Sequence, residues 1–250
     1  MHDTAISPAE LQREAEEWSP AIWTAGHAKL FVRFRELSDD VAVLSEEIRG
    51  FLDACRVHGA ELMILDFGGG TGELVAAAAR PHDRVVIIDP AHGDATLSQQ
   101  HGPFDVAIFS HVLALLADPQ ALFAEVATYS RPRAAVLAIV LDDTGTQADI
   151  CREAAKADAH FLDHFGHAQR LERLLASAGT PFRSHTVESR AVCSSYDAVC
   201  SSYDDVLAVV AFFLDAVIDE LVERLASAIP REPNGDWVLT TDQRVFTWQL

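Results

Sequence analysis

The run Leu62-Met-Ile-Leu-Asp66 passes directly into Phe67-Gly68-Gly69-Gly70-Thr71-Gly72, and a helical stretch from Glu73 to Arg80 follows at once. No other feature narrows the fold as much. A short apolar run without polar alternation fits a strand buried on both faces, the kind found in a parallel sheet. Gly68, Gly69, Gly70 and Gly72 then permit a tight strand-to-helix turn in which backbone can approach a ligand with no Cβ in the way. A strand, glycine loop and helix in this order predict a nucleotide-type cofactor, without selecting which one.

A second acid narrows the choice. The next apolar run, Arg84-Val-Val-Ile-Ile-Asp89, closes on a carboxylate that can accept both hydroxyls of a ribose. Short apolar runs of this kind recur, predicting strands near 61–67, 84–89, 104–109, 134–141, 182–189 and 236–249. The last is read as a hairpin folded about Asp242. Helical segments separate most of them, so the pattern is that of a mainly parallel sheet with crossover helices.

The flanks read differently. From Ser7 to Arg56 the pattern is helical, opening on the capping box Ser7-Pro8-Ala9-Glu10. Leu37, Val41, Leu44, Ile48 and Leu52 form one apolar stripe at helical spacing, as expected of a lid that covers something. Near the other end, Val192-Cys-Ser-Ser-Tyr-Asp-Ala is followed by Val199-Cys-Ser-Ser-Tyr-Asp-Asp, a local duplication read as an insertion in a surface loop. A substrate lid presenting Tyr196 or Tyr203 is the alternative. The helix expected at 203–228 carries Asp215, Asp219 and Glu220, too many charges for a bilayer span.

The formal charge of −19 repels phosphate backbones and anionic headgroups. Neither nucleic acid nor membrane is therefore expected as a partner. With no basic segment leading into an apolar run at the N-terminus, a cytoplasmic location is expected. Cys55, Cys151, Cys193 and Cys200 show no zinc-type spacing and are read as free thiols.

Three features separate this loop from dinucleotide-binding loops: Asp66 just ahead of the glycines, the Gly-Gly-Gly-Thr-Gly spelling, and the block Phe104-Asp-Val-Ala-Ile-Phe-Ser-His-Val-Leu113. With these residues the chain resembles a class I S-adenosylmethionine-dependent methyltransferase. The likeness continues through Asp118-Pro-Gln-Ala-Leu-Phe-Ala-Glu125 and Leu171-Glu-Arg-Leu-Leu-Ala-Ser-Ala-Gly179. It implies an α/β fold: a Rossmann-like sheet of seven strands with a reversed last one, helices on both faces, and an N-terminal helical lid. The expected division is a lid over 1–58, a cofactor-binding core over 59–190, and a C-terminal helix and final strand or strands over 191–250 that complete the core. The resemblance further implies S-adenosylmethionine as cofactor. Asp66, Gly68, Gly69, Gly70 and Gly72 would hold its methionine end, Asp89 with Pro90 its ribose, and Asp94 and Ala95 its adenine, while Ser110 and His111 would lie beside the methyl group.

Two departures from the family pattern stand out. Only Pro-Ala-His-Gly separates Asp89 from Asp94, where the family normally places a helix and an edge strand, so the sheet is expected to be shortened at the second crossover. The turn before the fifth family strand reads Arg131-Pro-Arg-Ala where Pro-Gly-Gly is common.

Methyl transfer from a sulfonium is an in-line displacement, so the protein must align the acceptor and in some cases remove its proton. An imidazole titrates in the range that suits proton removal. The candidates are His111 after the fourth family strand, His164 in the group His160, His164 and His167, and His27 on the lid stripe Trp23, His27 and Phe31 near Trp18. Gly166 interrupts the histidine group, and no metal site is expected. The activity expected is methylation of a small molecule at N, O or C, with secondary metabolism as a setting and a homodimer as one arrangement. The alternatives are cyclisation of the cofactor's aminobutyrate arm with release of methylthioadenosine, a rearrangement, or a non-catalytic partner protein.

Overall fold

The computed structural model describes residues 37–69, 72–89, 97, 101–113, 116, 118–156, 165–193 and 229–250. Six strands form one sheet: β1 (Met63–Phe67), β2 (Arg84–Ile88), β3 (Phe104–Ser110), β4 (Ser130–Leu141), β5 (Phe182–Cys193) and β6 (Trp237–Gln249), ordered β2-β1-β3-β4-β6-β5. The first four are parallel, and β6 runs antiparallel to both its neighbours. All six fall where apolar runs predict them. The reversed strand is also as the family resemblance implies.

The central strands are buried on both faces, which is why their sequences do not alternate. Ile64, Leu65, Val106, Ala107, Ile108 and Phe109 have no exposed surface. One face packs beneath helices α1 (Asp40–Cys55) and α2 (Glu73–Ala78), where Leu44, Ile48, Leu52, Leu74 and Val75 meet Ile64, Val106, Ile108, Ile139 and Val245. The other packs beneath α3 (Pro119–Thr128) and α5 (His167–Ser177), where Phe123, Val126, Leu171 and Leu175 meet Leu65, Phe109, Val136 and Phe246. Each such aliphatic or aromatic side chain contributes roughly 1.5–3 kcal/mol by leaving water. Helix α4 (Gly145–Ala155) docks along β6, where the Thr146 N–H donates to Thr240 Oγ1 at 3.0 Å.

Helix α1 is pinned at its start. Ser38 bridges to Ala191, the Asp39 N–H donates to the Arg190 carbonyl at 3.0 Å, and the Arg190 N–H donates to Asp39 Oδ1 at 2.6 Å. From there α1 reaches α2, and just past its end Arg56 donates to Asp83 Oδ1 at 2.7 Å, tying helix to the β2 approach. The stripe expected from Leu44, Ile48 and Leu52 is the buried face of this helix.

Two expectations are corrected. The segment expected to fold back at Asp242 is instead one strand, continuous from Trp237 to Gln249. It pairs with β5 from Trp237 to Trp248 and with β4 from Gln243 to Gln249. Asp242-Gln243 lacks the glycine that a two-residue hairpin turn favours, and pairing with β5 through Thr241, Asp242 and Gln243 holds the backbone extended. Helix α2 stops at Ala78, before Arg80, because Pro81 disfavours helical backbone at the residue before it and Ala79 already has ψ 153°.

The sheet has no strand beyond β2 among the described residues, and residues 89 to 103 are all that lie between β2 and β3. The second crossover is thus short, as the close spacing of Asp89 and Asp94 predicts. Arg133, where the family commonly has glycine, carries φ 67°. Among the described residues no helix is long and apolar enough to cross a membrane.

Candidate functional site

The glycine loop leaves β1 at its carboxyl end, between β2 and β3. Its start is tied across the sheet by the Gly68 N–H donating to the Ile88 carbonyl at 2.7 Å, and the Gly72 N–H closes a turn onto the Gly69 carbonyl at 2.8 Å. Two glycines here are required by space. A Cβ at Gly69 would fall 2.2 Å from Asp66 Oδ2, and one at Gly72, where φ is already 73°, would fall 2.2 Å from Ile87 Cδ1. Gly69 is therefore packed directly on the Asp66 carboxyl, and Gly72 on β2.

Asp66 itself is 1% exposed, and its Oδ1 has no hydrogen-bond partner. Burial first, and then repulsion from Asp89, pushes its pKa up to about 7. A buried carboxyl left with an open acceptor is costly unless something supplies a donor or a positive charge. Asp89 stands half-buried at the end of β2, the strand adjacent to β1. The two acids therefore share the same end of the sheet.

Strand β3 delivers the third component. Ser110 is its last residue, and its Oγ is buried without a partner. His111 follows with φ 58°, a left-handed conformation rare outside glycine, while its N–H donates to the Ile139 carbonyl at 2.8 Å. The chain is thus turned sharply while still paired to β4. Val112 lands against the glycine loop, since a Cβ at Gly68 would sit 2.4 Å from Val112 Cγ2.

Of the residues singled out from sequence, Asp66, Gly68, Gly69, Gly72, Asp89, Ser110 and His111 come together at the carboxyl ends of β1, β2 and β3. Gly70, Pro90, Asp94, Ala95, His27 and His164 lie outside the described residues, as do Trp18, Trp23, Phe31, Tyr196, Tyr203 and the helix expected at 203–228. Cys55 and Cys151 are free thiols, each with its pKa raised by burial, to about 11 and about 12.

Sequence reasoning missed a second polar group on the same face. Asp40, Ser45, Ser189, Thr241 and Gln243 are buried between α1 and the β5–β6 pair. Asp40 and Ser45 fall among the apolar positions of the α1 stripe, and Thr241 and Gln243 share the alternation of Val245. Polar residues at core positions of an otherwise regular pattern were the available signal.

A family model for the methyltransferase domain matches residues 32–183. The chain belongs to this family of S-adenosylmethionine-dependent methyltransferases. Among solved structures, it is similar to the plantazolicin methyltransferase BpumL in complex with a triazolic desmethylPZN analog and SAH. The two are 11% identical, with 97% of this chain and 98% of that chain covered and a TM-score of 0.54. It is also similar to the plantazolicin methyltransferase BamL in complex with a triazolic desmethylPZN analog and SAH, at 12% identity, 97% coverage of each chain and a TM-score of 0.52. At such identities the likeness is one of fold. No curated protein matches the sequence.

Proposed function

We propose that the chain methylates a small molecule at an N, O or C atom, at the carboxyl ends of β1, β2 and β3. The observation that carries this reading is Asp66: a buried carboxyl with an unpartnered oxygen, enclosed by a loop whose glycines leave no room for a Cβ. Those residues fit a cationic cofactor. When bound, S-adenosylmethionine supplies an electrophilic methyl group on a sulfonium.

The remaining work falls to the chain's own side chains. Asp66 accepts hydrogen bonds from the positively charged end of the cofactor, and Asp89 accepts them from the ribose hydroxyls. Ser110 Oγ offers a hydroxyl at the end of β3, where the acceptor enters. His111, turned out of the strand by its left-handed backbone, orients the acceptor atom and takes up its proton where one must leave. A charge of −19 disfavours a polyanionic acceptor, which supports a small molecule.

Incubation with methyl-labelled S-adenosylmethionine and a panel of amines, phenols and keto acids tests the proposal. Labelled product together with S-adenosylhomocysteine is the expected result. Methylthioadenosine released without any acceptor would replace methyl transfer by cyclisation of the cofactor, and lack of cofactor binding in calorimetry would remove the catalytic reading.

A further inference from the structure

The end of β3 breaks the alternation of the strand. A regular continuation would turn Phe109 and His111 toward one face of the sheet and Ser110 and Val112 toward the other. Val112 and Leu113 are instead both buried, at 7% and 5% exposure, in the apolar cluster that holds Phe109, Phe67 and Ile88. Two successive residues reach one face only where the backbone turns, and the residue that turns is His111, with φ 58°. Val112 thus takes the place on the apolar face that alternation would have given to His111, which is left half-buried at the end of the strand.

The seat that Val112 fills is set by Gly68. Measured from the position a Gly68 Cβ would occupy, Val112 Cγ2 lies at 2.4 Å, Cβ at 2.5 Å and Cγ1 at 3.0 Å, so every carbon of the isopropyl group rests over the bare Cα. Gly68 is itself fixed, with φ 74° and its N–H donating to the Ile88 carbonyl at 2.7 Å. On the other side of the turn the His111 N–H donates to the Ile139 carbonyl at 2.8 Å. A left-handed backbone at a residue other than glycine persists only where its surroundings over-determine it. The two restraints here are the hydrogen bond to β4 at the turn and the Gly68 seat just after it.

We propose that Val112 is a positioning residue for methyl transfer: its γ carbons, seated on Gly68, set the distance between the cofactor-binding loop and the His111 imidazole. This rests on the reading above in which His111 lies beside the methyl group. What matters in this role is the shape of the branched side chain rather than its hydrophobicity. Alanine leaves the seat empty, so the turn is free to shift against the loop. Threonine fills the seat with atoms of the same geometry but buries a hydroxyl against apolar surface. Position and stability therefore separate in these two variants.

The test reads the place of the imidazole from the charge that distinguishes two cofactor forms. In the full chain, isotopically labelled at histidine, the His111 titration midpoint is followed by NMR with S-adenosylmethionine and then with S-adenosylhomocysteine, which lacks the sulfonium charge. Other charged groups are common to both complexes and cancel in the difference. A cation beside the ring disfavours imidazolium, so the midpoint with S-adenosylmethionine is expected to be lower by roughly half a pH unit, the effect of one unit charge about 6 Å away across water. Val112→Thr should keep that difference while its melting temperature falls. Val112→Ala should at least halve the difference, with S-adenosylhomocysteine affinity within about threefold of wild type. A difference that survives Val112→Ala, or one lost equally in Val112→Thr, overturns the proposal, because the contact would then serve stability alone. No difference in the wild-type chain would instead overturn the placement of His111 beside the methyl group, and the proposal with it, so the two failures are told apart by the wild-type measurement.

Discussion

The two margins of the sheet are built by opposite means. At the β2 margin the strands are five residues long, parallel and joined by short connections. What positions chemistry there is loop backbone: Gly69 packed directly on one carboxyl, with Gly68 and Gly72 held against Val112 and Ile87. At the β5 margin the strands run for twelve and thirteen residues, antiparallel, and β6 continues past the end of β4. Chemistry is positioned there by alternation along a strand, with Thr241, Gln243 and Val245 on one face. Loop geometry tolerates almost no added atom, whereas a strand face tolerates exchange of one side chain for another of equal size. Substitutions should therefore act on function at the first margin and on stability at the second.

The largest effect is expected in the second. Phe246 has no exposed surface and lies 5.8 Å, ring to ring, from Phe182 on the neighbouring strand. Phe246→Ala should cost about 3–5 kcal/mol of unfolding free energy, read from denaturant midpoints at constant slope. A cost under about 1 kcal/mol would mean that the β5–β6 pair is not part of the cooperative core.

Gly69→Ala addresses the first margin. The new methyl would fall 2.2 Å from Asp66 Oδ2, so the loop or the carboxyl must move. Overpacking of this kind costs about 1–3 kcal/mol, and here it should appear as roughly 10- to 100-fold weaker S-adenosylhomocysteine binding in calorimetry. Stability should change less than affinity. The reverse pattern would erase the contrast between the margins.

What could be read from the sequence follows the same division. Runs such as Val-Val-Ile-Ile before Asp89 are legible because a strand buried on both faces needs apolar residues throughout, and the glycines are legible because space excludes every other residue. Trp237 to Gln249 was misread at Asp242, since an acidic residue within a strand looks like a turn. In the folded chain the Asp242 carboxylate accepts from Thr144 Oγ1 at 2.5 Å, its backbone pairs with Glu188 of β5, and its carbonyl accepts from the Asp142 N–H at 2.9 Å. The buried polar group of Asp40, Ser189 and Gln243 joins three distant segments, and no local pattern announces a contact between residues so far apart in the chain.

The Asp66 titration is a subtler probe of the first margin. Its pKa is about 7 in the folded chain, against an ordinary carboxylate value of 3.8. Between those values the folded state keeps a proton that the unfolded state releases. Stability should therefore fall as pH rises from 4 to 7, and the penalty should be constant above 7. A cationic cofactor prefers the ionised form, so S-adenosylmethionine affinity should rise up to about tenfold per unit as pH approaches 7 and then level off. In Asp66→Asn the cofactor affinity should be weak and both slopes flatter. An unchanged slope in that variant would assign the titration to another group.

The smallest effect tests whether a family departure is strain or adaptation. Arg133 has φ 67°, where a side chain costs roughly 1–2 kcal/mol and glycine costs nothing. Arg133→Gly also loosens the unfolded chain, which offsets part of that gain. The net should be a stabilisation of about 0.5–1 kcal/mol, visible as a rise of a few degrees in melting temperature with cofactor affinity unchanged. Arg133 precedes the part of β4 that pairs in register with β3 from Ala135 onward, far along the strand from the Ser110 end. A loss of affinity in this variant would mean that strain at the start of β4 is felt at its carboxyl end, so the strand would be transmitting position rather than only supplying it.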